Sequence, residues 1–503
     1  MKLTTAQTDR ACGVLLASAA GDALGAGYEF GSGPLGPDGP AMIGGGLGNF
    51  APGEWTDDTS MTWAIAEVAA KGVDLCSPEA LDGIARGFLR WYDSHPPDIG
   101  IQTRSVLGNR TLAEVRGSHA PRGRPSTAEA SKSPVADVMT QAAAKLHERT
   151  GHTAGNGSLM RTSPVALAHL GDPAAIVEAA TAISALTHTD SQAGEACALW
   201  SLAINHAVLE GELDLRAGLQ HLPAEAEAFW SARIDEAESR DPSTFTPNGY
   251  VVTALQAAWS AIHHTSAPEQ MPCLHLQHTL ETAIRIGNDT DTVAAIAGGL
   301  LGARWGASAV PAAWRRIVHG YPGRTAEDLV ELAFLATRGG EPNGYGWPGC
   351  EHIPYWQAHR PVLVQHPFDE GVWLGNVKAL DDLPQEITAV VSLCLTGTKQ
   401  VPKGVLQVPF RLIDEPEREA NLNFELVITD AARTVADLRA EGHQVLIHCV
   451  AAESRTPTVG IAYAMISGVD VETATKGVCS ALPAASPNPG FRRQLDEWER
   501  PNE

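Results

Sequence analysis

The sequence predicts a multidomain chain with an all-α N-terminal domain and a C-terminal α/β domain whose sheet is mainly parallel. Three observations carry this. The chain has 503 residues, more than one ordinary domain holds. Residues 1–338 place alanine and leucine at helical spacing, as in Met61 to Ala70, Ala174 to Leu186, Ala193 to Leu209 and Val293 to Trp305, with few β-branched runs. Residues 361–503 instead alternate strand patterns with helical ones. The strands fall at Val372–Gly375, Ala389–Leu393 and Gln444–His448, and the helices near 424–440, 457–467 and 490–499. A Gly/Pro-rich linker, 339–360, separates the two parts. Within the first part, Arg116 to Lys132 reads as a basic surface loop, and residues 210–250 as acidic and loop-rich in places.

Composition narrows the function. A net charge of −23 argues against a nucleic-acid partner and against an anionic membrane. The eight cysteines are scattered with no CxxC spacing, which fits a reducing compartment. The apolar run Ala11 to Ala20 follows Lys2 and Arg10, yet it is short and Asp9 precedes it, so it is not read as a signal peptide. No run reaches the roughly 18 apolar residues of a membrane span. The expectation is a cytoplasmic protein.

The chemistry starts from two acidic clusters: Trp55 to Thr59, with Thr56, Asp57 and Asp58, and Gly287 to Thr292, with Asp289, Asp291 and Thr292. Each runs into a helical segment, so either cluster alone serves equally as a helix cap. Brought together, close carboxylates repel by about 4 kcal/mol per pair at about 4 Å and an effective dielectric near 20. A cation would relieve this, and hard oxygen donors suit Mg²⁺, Mn²⁺ or Ca²⁺ rather than zinc. Gly21 to Gly25, with Glu29 after it, precedes the first cluster, and between the two clusters lies Gly155 to Arg161, whose glycines let backbone amides approach a phosphate. Asp22 alone reads as a turn cap, and His188 alone as a core histidine.

Taken in order, these segments and the Gly298, Gly299 and Gly302 run resemble the ADP-ribosylglycohydrolase family, which includes the dinitrogenase reductase activating glycohydrolases, over about residues 8–335. The resemblance implies an all-α domain that holds two Mg²⁺ or Mn²⁺ ions on Thr56, Asp57, Asp58, Asp289, Asp291 and Thr292. The ions grip the distal ribose of ADP-ribose while water displaces the group at its anomeric carbon. It further implies Glu29 as an acid/base or water-positioning group beside Asp58. Asp98, Gly155, Asn156, Gly157, Ser158 and His188 then line the ADP-ribose.

In the second part, Cys449 to Thr456 follows a strand and precedes a helix. Five residues between Cys449 and Arg455 let the loop curl around a phosphate. Its amides and the helix N-terminus favour anions, and Arg455 offers a planar fork. The region 365–500 resembles the dual-specificity, protein-tyrosine-phosphatase-like family, which implies Cys449 as nucleophile and Asp414 as general acid. Thr456 is placed to assist breakdown of a phosphocysteine. The sequence departs from that family at Ala452, where glycine is usual and a Cβ crowds the loop.

The sequence therefore reads as a bifunctional hydrolase. One part acts on an ADP-ribosylated protein or ADP-ribose conjugate, the other on a phosphorylated protein or small phosphoester. The second reading is an ADP-ribose- and phosphate-binding module with an inactive phosphatase domain.

Overall fold

The structure, a computed structural model, describes residues 2–115, 134–482 and 484–497. The basic stretch Arg116 to Lys132 lies outside the described residues. The chain forms two compact units: Met1–Val310 with Ile317–Glu341, and Pro311–Arg316 with Pro342–Glu503.

The first unit is helical. Its helices are α1 (Thr5–Gly25), α2 (Asp57–Ala69), α3 (Pro78–Asp93), α4 (Ile101–Leu107), α5 (Arg110–Val115), α6 (Val135–Thr150), α7 (Pro164–Ala168), α8 (Pro173–Ala185), α9 (Ser191–Glu210), α10 (Ala224–Ser239), α11 (Val251–His264), α12 (His275–Arg285) and α13 (Thr290–Trp305). After α14 (Ala312–Arg315), which belongs to the second unit, come a two-stranded ribbon, β1 (His319–Gly320) and β2 (Arg324–Thr325), and α15 (Ala326–Ala336). The acidic segment 210–250 thus holds a regular helix, α10, between its loops.

Helix α1 begins at a capping box. The Thr4 hydroxyl accepts from the Gln7 amide at 3.1 Å, and the Gln7 side chain accepts from the Thr4 amide at 2.9 Å. From Ala11 to Gly25 every residue is buried, so no polar face interrupts its apolar pattern. With the short helix after it, Thr5–Gly31 is long and apolar enough to cross a membrane by length and composition. That corrects the reading that no segment reaches that length. The apolar window is wholly buried inside the unit.

Burial on all sides is possible because α1 and α13 touch backbone to backbone. A Cβ added to Gly302 would lie 2.0 Å from the Gly13 carbonyl oxygen, and one on Gly298 2.3 Å from that of Ala17. On the other helix, a Cβ on Gly21 would lie 2.3 Å from the Ala294 oxygen, and one on Gly25 2.5 Å from the Asp291 Cα. Glycine and alanine along both helices are what this approach requires, and it places the end of α1 against the start of α13.

The second unit is a five-stranded sheet with helices. Strands β3 (Leu363–His366), β4 (Asp369–Asn376), β5 (Ile387–Ser392), β6 (Leu406–Pro409) and β7 (Gln444–Cys449) lie in the order β3-β4-β7-β5-β6. The β3–β4 pair is antiparallel and the other pairs are parallel. Alternate residues bury to opposite faces. Val445 and Ile447 join a core with α16 (Phe424–Ala440), α17 (Arg455–Ile466), α18 (Val471–Ala481) and α19 (Pro489–Glu497). Leu446 and Val390 instead join a smaller core with Val377 and Leu380. Strands covered on both faces read as continuous apolar runs. Cys449 ends the central strand β7, at the carboxyl edge of the sheet where ligands of open α/β folds bind.

Candidate active sites of the two units

In the first unit the acidic residues converge. The Thr56 side chain makes no cap bond at the start of α2. Asp22, from α1, does that work. Its Oδ1 accepts from the Thr56 amide at 2.9 Å, and its Oδ2 accepts from the Thr59 amide at 3.0 Å and the Thr59 hydroxyl at 2.6 Å. Asp57 and Asp58 are therefore free of capping. Asp58 Oδ2 accepts from the Thr56 hydroxyl at 2.9 Å, whereas its Oδ1 is buried with no partner. Asp57 Oδ2 accepts from the Gly100 amide at 3.3 Å.

The second cluster arrives from the start of α13. Thr290 donates its hydroxyl to the Gly25 carbonyl at 2.8 Å, and Phe30 donates its amide to the Asn288 carbonyl at 2.7 Å. These bonds bring Glu29, 6% exposed, beside Asp289 and Asp291. Asp289 Oδ2 accepts from the Asn156 side chain at 2.7 Å. Asp291 Oδ1, like Asp58 Oδ1, is buried without a partner. Thr292 is buried, its hydroxyl 3.9 Å from the Met160 sulfur. Two overlapping groups result, Asp22 with Asp58 and Asp291, and Glu29 with Asp289 and Asp291, each with one oxygen per residue within 4.8 Å of the others. Asp291 is common to both.

The electrostatic consequence is severe. Burial, then the charges of Asp98, Asp289 and Asp57, push the Glu29 carboxyl up to about 9. Burial, then Asp98 and Asp22, push Asp57 up to about 7. Burial raises Asp22 to about 6 despite its hydrogen bonds. Burial together with neighbouring carboxylates holds Asp58 and Asp291 well above the ordinary range, and burial raises Asp289 as well. These groups cannot all ionise unless positive charge enters. An all-oxygen donor set with two orphaned buried carboxylate oxygens fits a hard divalent cation. The buried Arg161 is committed to other partners. Arg161 is fully buried and donates to the Met61 sulfur at 3.3 Å and the Thr187 hydroxyl at 2.6 Å, and its guanidinium sits 4.4 Å from the Phe88 ring centroid. Burial lowers its pKa to about 10.

The glycine segment packs on His188. A Cβ on Gly157 would lie 3.2 Å from His188 Cε1, and one on Gly155 3.4 Å from its Nε2. His188 Nδ1 is 2.7 Å from the Thr187 hydroxyl, and burial followed by the Arg161 charge holds the ring well below its usual basicity. Ser158 is buried and its hydroxyl accepts from the Cys197 thiol at 3.5 Å. Asp98 is half-buried, its Oδ1 accepting from the Ile99 amide at 2.7 Å. Sequence reasoning missed two residues. Asn248, fully buried, accepts the Asp289 amide at 3.0 Å and donates to the Gly287 carbonyl at 3.1 Å. Gln102 ties the Thr153 and Thr187 carbonyls together, each at 3.0 Å. The Pro247-Asn248-Gly249 turn signal is the trace that marked the first.

In the second unit Cys449 is 1% exposed and the loop to α17 curls through Ala452 at φ 61°. The alanine adopts the left-handed conformation that glycine normally supplies. Among the described residues, none of the Val450 to Ser454 amides is taken by a backbone acceptor. Arg455 commits Nη1 to the Leu393 and Leu412 carbonyls, at 2.7 and 3.2 Å. Its Nε is buried, unpartnered, and 3.8 Å from Asp414 Oδ2. Asp414 Oδ1 accepts from Asn488 at 3.0 Å, and the Asn488 amide donates to the Ser454 hydroxyl at 3.2 Å. Asn488, absent from the sequence reading, thus links the Asp414 loop to the Cys449 loop. His448 is buried with Nε2 2.7 Å from the Ser392 hydroxyl, and burial lowers it to about 4. Thr456 donates its hydroxyl to the Gly375 carbonyl at 3.0 Å, so that proton serves the strand.

Known proteins show the same two parts. The sequence model of the ADP-ribosylglycohydrolase family matches residues 3–343, and that of the dual specificity phosphatase catalytic domain matches residues 372–501. An ADP-ribosylarginine hydrolase Tri1 of Pseudomonas putida (strain GB-1) is 28% identical over 323 residues, covering 61% of this chain and 73% of the relative. An ADP-ribosyl-dinitrogen reductase glycohydrolase of Rhodospirillum rubrum is 28% identical over 315 residues, covering 61% of this chain and 89% of the relative. Dual specificity protein phosphatase 22 of Mus musculus is 30% identical over 135 residues, covering 26% of this chain and 71% of the relative. The ADP-ribosylglycohydrolase family is metal-dependent, and the two carboxylate groups are the candidate ligands. The chain is a hydrolase that belongs to the ADP-ribosylglycohydrolase family and carries a dual specificity phosphatase catalytic domain at its C-terminal side.

Proposed function

We propose that the N-terminal unit releases ADP-ribose from an ADP-ribosylated protein side chain or a small ADP-ribose conjugate, using two Mg²⁺ or Mn²⁺ ions. The observation that carries this is the pair of buried, unpartnered oxygens, Asp58 Oδ1 and Asp291 Oδ1, within a cluster of carboxylates. Thr56, Asp57, Asp58, Asp289, Asp291 and Thr292 are the proposed ligands, joined by Asp22 in the group with Asp58 and by Glu29 in the group with Asp289. When bound, the ions polarise sugar hydroxyls and offset the carboxylate charge. Asp58, steadied by Thr56, and Glu29, steadied by the Phe30 to Asn288 link, are the carboxylates in position to orient water and accept its proton. Asn156 holds Asp289 in place, and with Asp98, Gly155, Gly157, Ser158 and His188 it forms the proposed ADP-ribose edge.

The test is a hydrolysis panel of ADP-ribosylated peptides and conjugates, run with Mg²⁺ and with EDTA, on the full chain and on Asp291→Asn. Chelation and the substitution are each expected to slow release by about 100-fold or more, the loss that follows when several kcal/mol of charge stabilisation is removed. Release that survives both would sink the proposal.

For the C-terminal unit we propose hydrolysis of a phosphomonoester on a protein or small molecule. The Cys449 sulfur attacks phosphorus, the leaving oxygen takes a proton from Asp414, and water then cleaves the phosphocysteine. Arg455 turns its unpartnered Nε toward the phosphate and the free loop amides receive the remaining oxygens. Cys449→Ser is expected to abolish p-nitrophenyl phosphate turnover and to leave ADP-ribose release unchanged. The left-handed alanine at 452 keeps a second reading in view, a phosphate-binding module without turnover. A wild-type chain that binds phosphate tightly and turns over no phosphoester in a broad panel would decide for it.

A further inference from the structure

Away from the acidic centre, three residues of different chemistry meet in the N-terminal unit. Asp74 and Cys76 lie in the loop between α2 and α3, and His169 closes the C-terminal end of α7. One ligand atom from each lies within 4.8 Å of the other two, and His169 Nε2 stands 3.8 Å from Asp74 Oδ1. Donor atoms around a tetrahedral zinc, with bonds of about 2.0–2.3 Å, stand roughly 3.3–3.8 Å apart, so small side-chain shifts complete the geometry.

An independent observation points to a ligand. The His169 side chain is only 10% exposed, and its Nε2 is buried with no hydrogen-bond partner. A desolvated ring nitrogen left unmatched is costly, and here it faces a carboxylate and a thiol. The loop holds those two firmly. The Cys76 amide donates to Asp74 Oδ1 at 2.9 Å, and the Ser77 amide and hydroxyl donate to the Asp74 carbonyl at 3.0 and 2.7 Å. The Cys76 thiol makes a 3.8 Å contact with the Ala175 carbonyl. Burial, then Asp74 and Glu178, push that thiol up to about 12, so it stays protonated until a cation displaces the proton.

We infer that Asp74, Cys76 and His169 form a second metal site, for a borderline-soft divalent cation of the Zn²⁺ class. A thiolate, an imidazole and a carboxylate select such an ion over Mg²⁺, in contrast to the all-oxygen centre around Asp291. A cavity of about 320 Å³ lined by Gly72, Asp74, His169 and Asp172 opens beside two of the three donors, Asp74 and His169, and leaves room for water at the fourth position. The bound ion clips the loop after α2, the helix that starts with Asp57 and Asp58, to the end of α7.

The experiment uses the full chain in excess Mg²⁺, titrated with Co²⁺ and read by thiolate-to-cobalt charge-transfer absorption, with Zn²⁺ uptake followed by elemental analysis. One equivalent is expected, and saturating Zn²⁺ should raise the melting temperature by about 5 °C. Cys76→Ser should remove the charge-transfer band. Loss of even an outer partner weakens a metal site by about 10–100-fold, so His169→Gln should weaken binding by about 100-fold or more. Asp289→Ala and Cys449→Ser should leave the band intact. No band in the wild type, a band that survives Cys76→Ser, or one lost in Asp289→Ala would overturn the inference. If circular dichroism shows Cys76→Ser unfolded, Asp74→Asn at a largely exposed side chain carries the same test, with unweakened Co²⁺ binding as the overturning result.

Discussion

At Ala452 the backbone takes φ 61°, a conformation that places Cβ against the following carbonyl and costs about 1–2 kcal/mol for a side chain. The methyl is 2% exposed within the core of the C-terminal unit. Burying it returns roughly 0.8 kcal/mol, and glycine would lose about 0.5–1 kcal/mol more backbone entropy on folding. These terms offset, so Ala452→Gly is expected to move the stability of the unit by less than about 1 kcal/mol. Ala452→Val, β-branched in the same region, should cost more than about 2 kcal/mol and disorder the loop. Denaturant midpoints of the two variants check this, and a gain of several kcal/mol with glycine would show that alanine strains the loop. At this scale the sequence shows residue types and hides partners. Thr56, Asp57, Asp58, Asp289 and Asp291 are visible because hard oxygens crowd short stretches. The service of Asp22 to Thr56 and Thr59 crosses 34 and 37 residues, and the Asn156 bond to Asp289 crosses 133. No local pattern encodes such bonds, which is why Asn248, Gln102 and Asn488 escaped notice.

Helices and strands were legible where one face or two faces are consistently apolar. Helix α9 and strand β7 fall where alanine and leucine spacing and an apolar run place them. Helix α1 was less legible, because an element buried on every side has no polar stripe to mark its period. The α1–α13 seam is what the glycine pattern of Gly13, Gly21, Gly25, Gly298 and Gly302 encodes, and the seam predicts a contrast. A Cβ at Gly302 meets the Gly13 oxygen at 2.0 Å, far along α13 from Asp291. A Cβ at Gly25 meets the Asp291 backbone itself. Gly302→Ala and Gly25→Ala should each cost about 1–3 kcal/mol by forcing the helices apart. Only Gly25→Ala displaces a proposed ligand, so it should also weaken Mn²⁺ binding, by about 10-fold or more. Thermal melts paired with Mn²⁺ titration test this; equal metal affinity in the two variants would show that the seam does not set the distance between Asp22 and Asp291.

Across the whole molecule, the C-terminal unit is not one continuous stretch of chain. It incorporates Pro311–Arg316, which precedes the last helix of the N-terminal unit. The segment is held by its own contacts. The Ala312 amide donates to Asp430 Oδ2 at 2.8 Å, and Ala312 is fully buried in the core with α16 and α17. Arg315 donates to the Pro409 carbonyl at 2.7 Å and lies 4.9 Å from the Phe410 ring centroid. Arg316 pairs with Glu441 at 2.6 Å. A hydrogen bond to a charged group contributes about 1.5–3 kcal/mol, a cation over a ring about 0.5–1, and an exposed ion pair at most about 1. A chain of residues 342–503 alone should therefore be less stable than the same unit in the full chain by roughly 2–4 kcal/mol. Hydrogen exchange across α16 in the two chains measures the difference. A synthetic peptide spanning residues 309–318 should restore part of the protection, because Ala312 and Arg315 return to the partners Asp430, Pro409 and Phe410 that the short chain keeps. Identical α16 exchange in the short and full chains would mean that the phosphatase fold is complete without the segment, and that its attachment contributes nothing to stability.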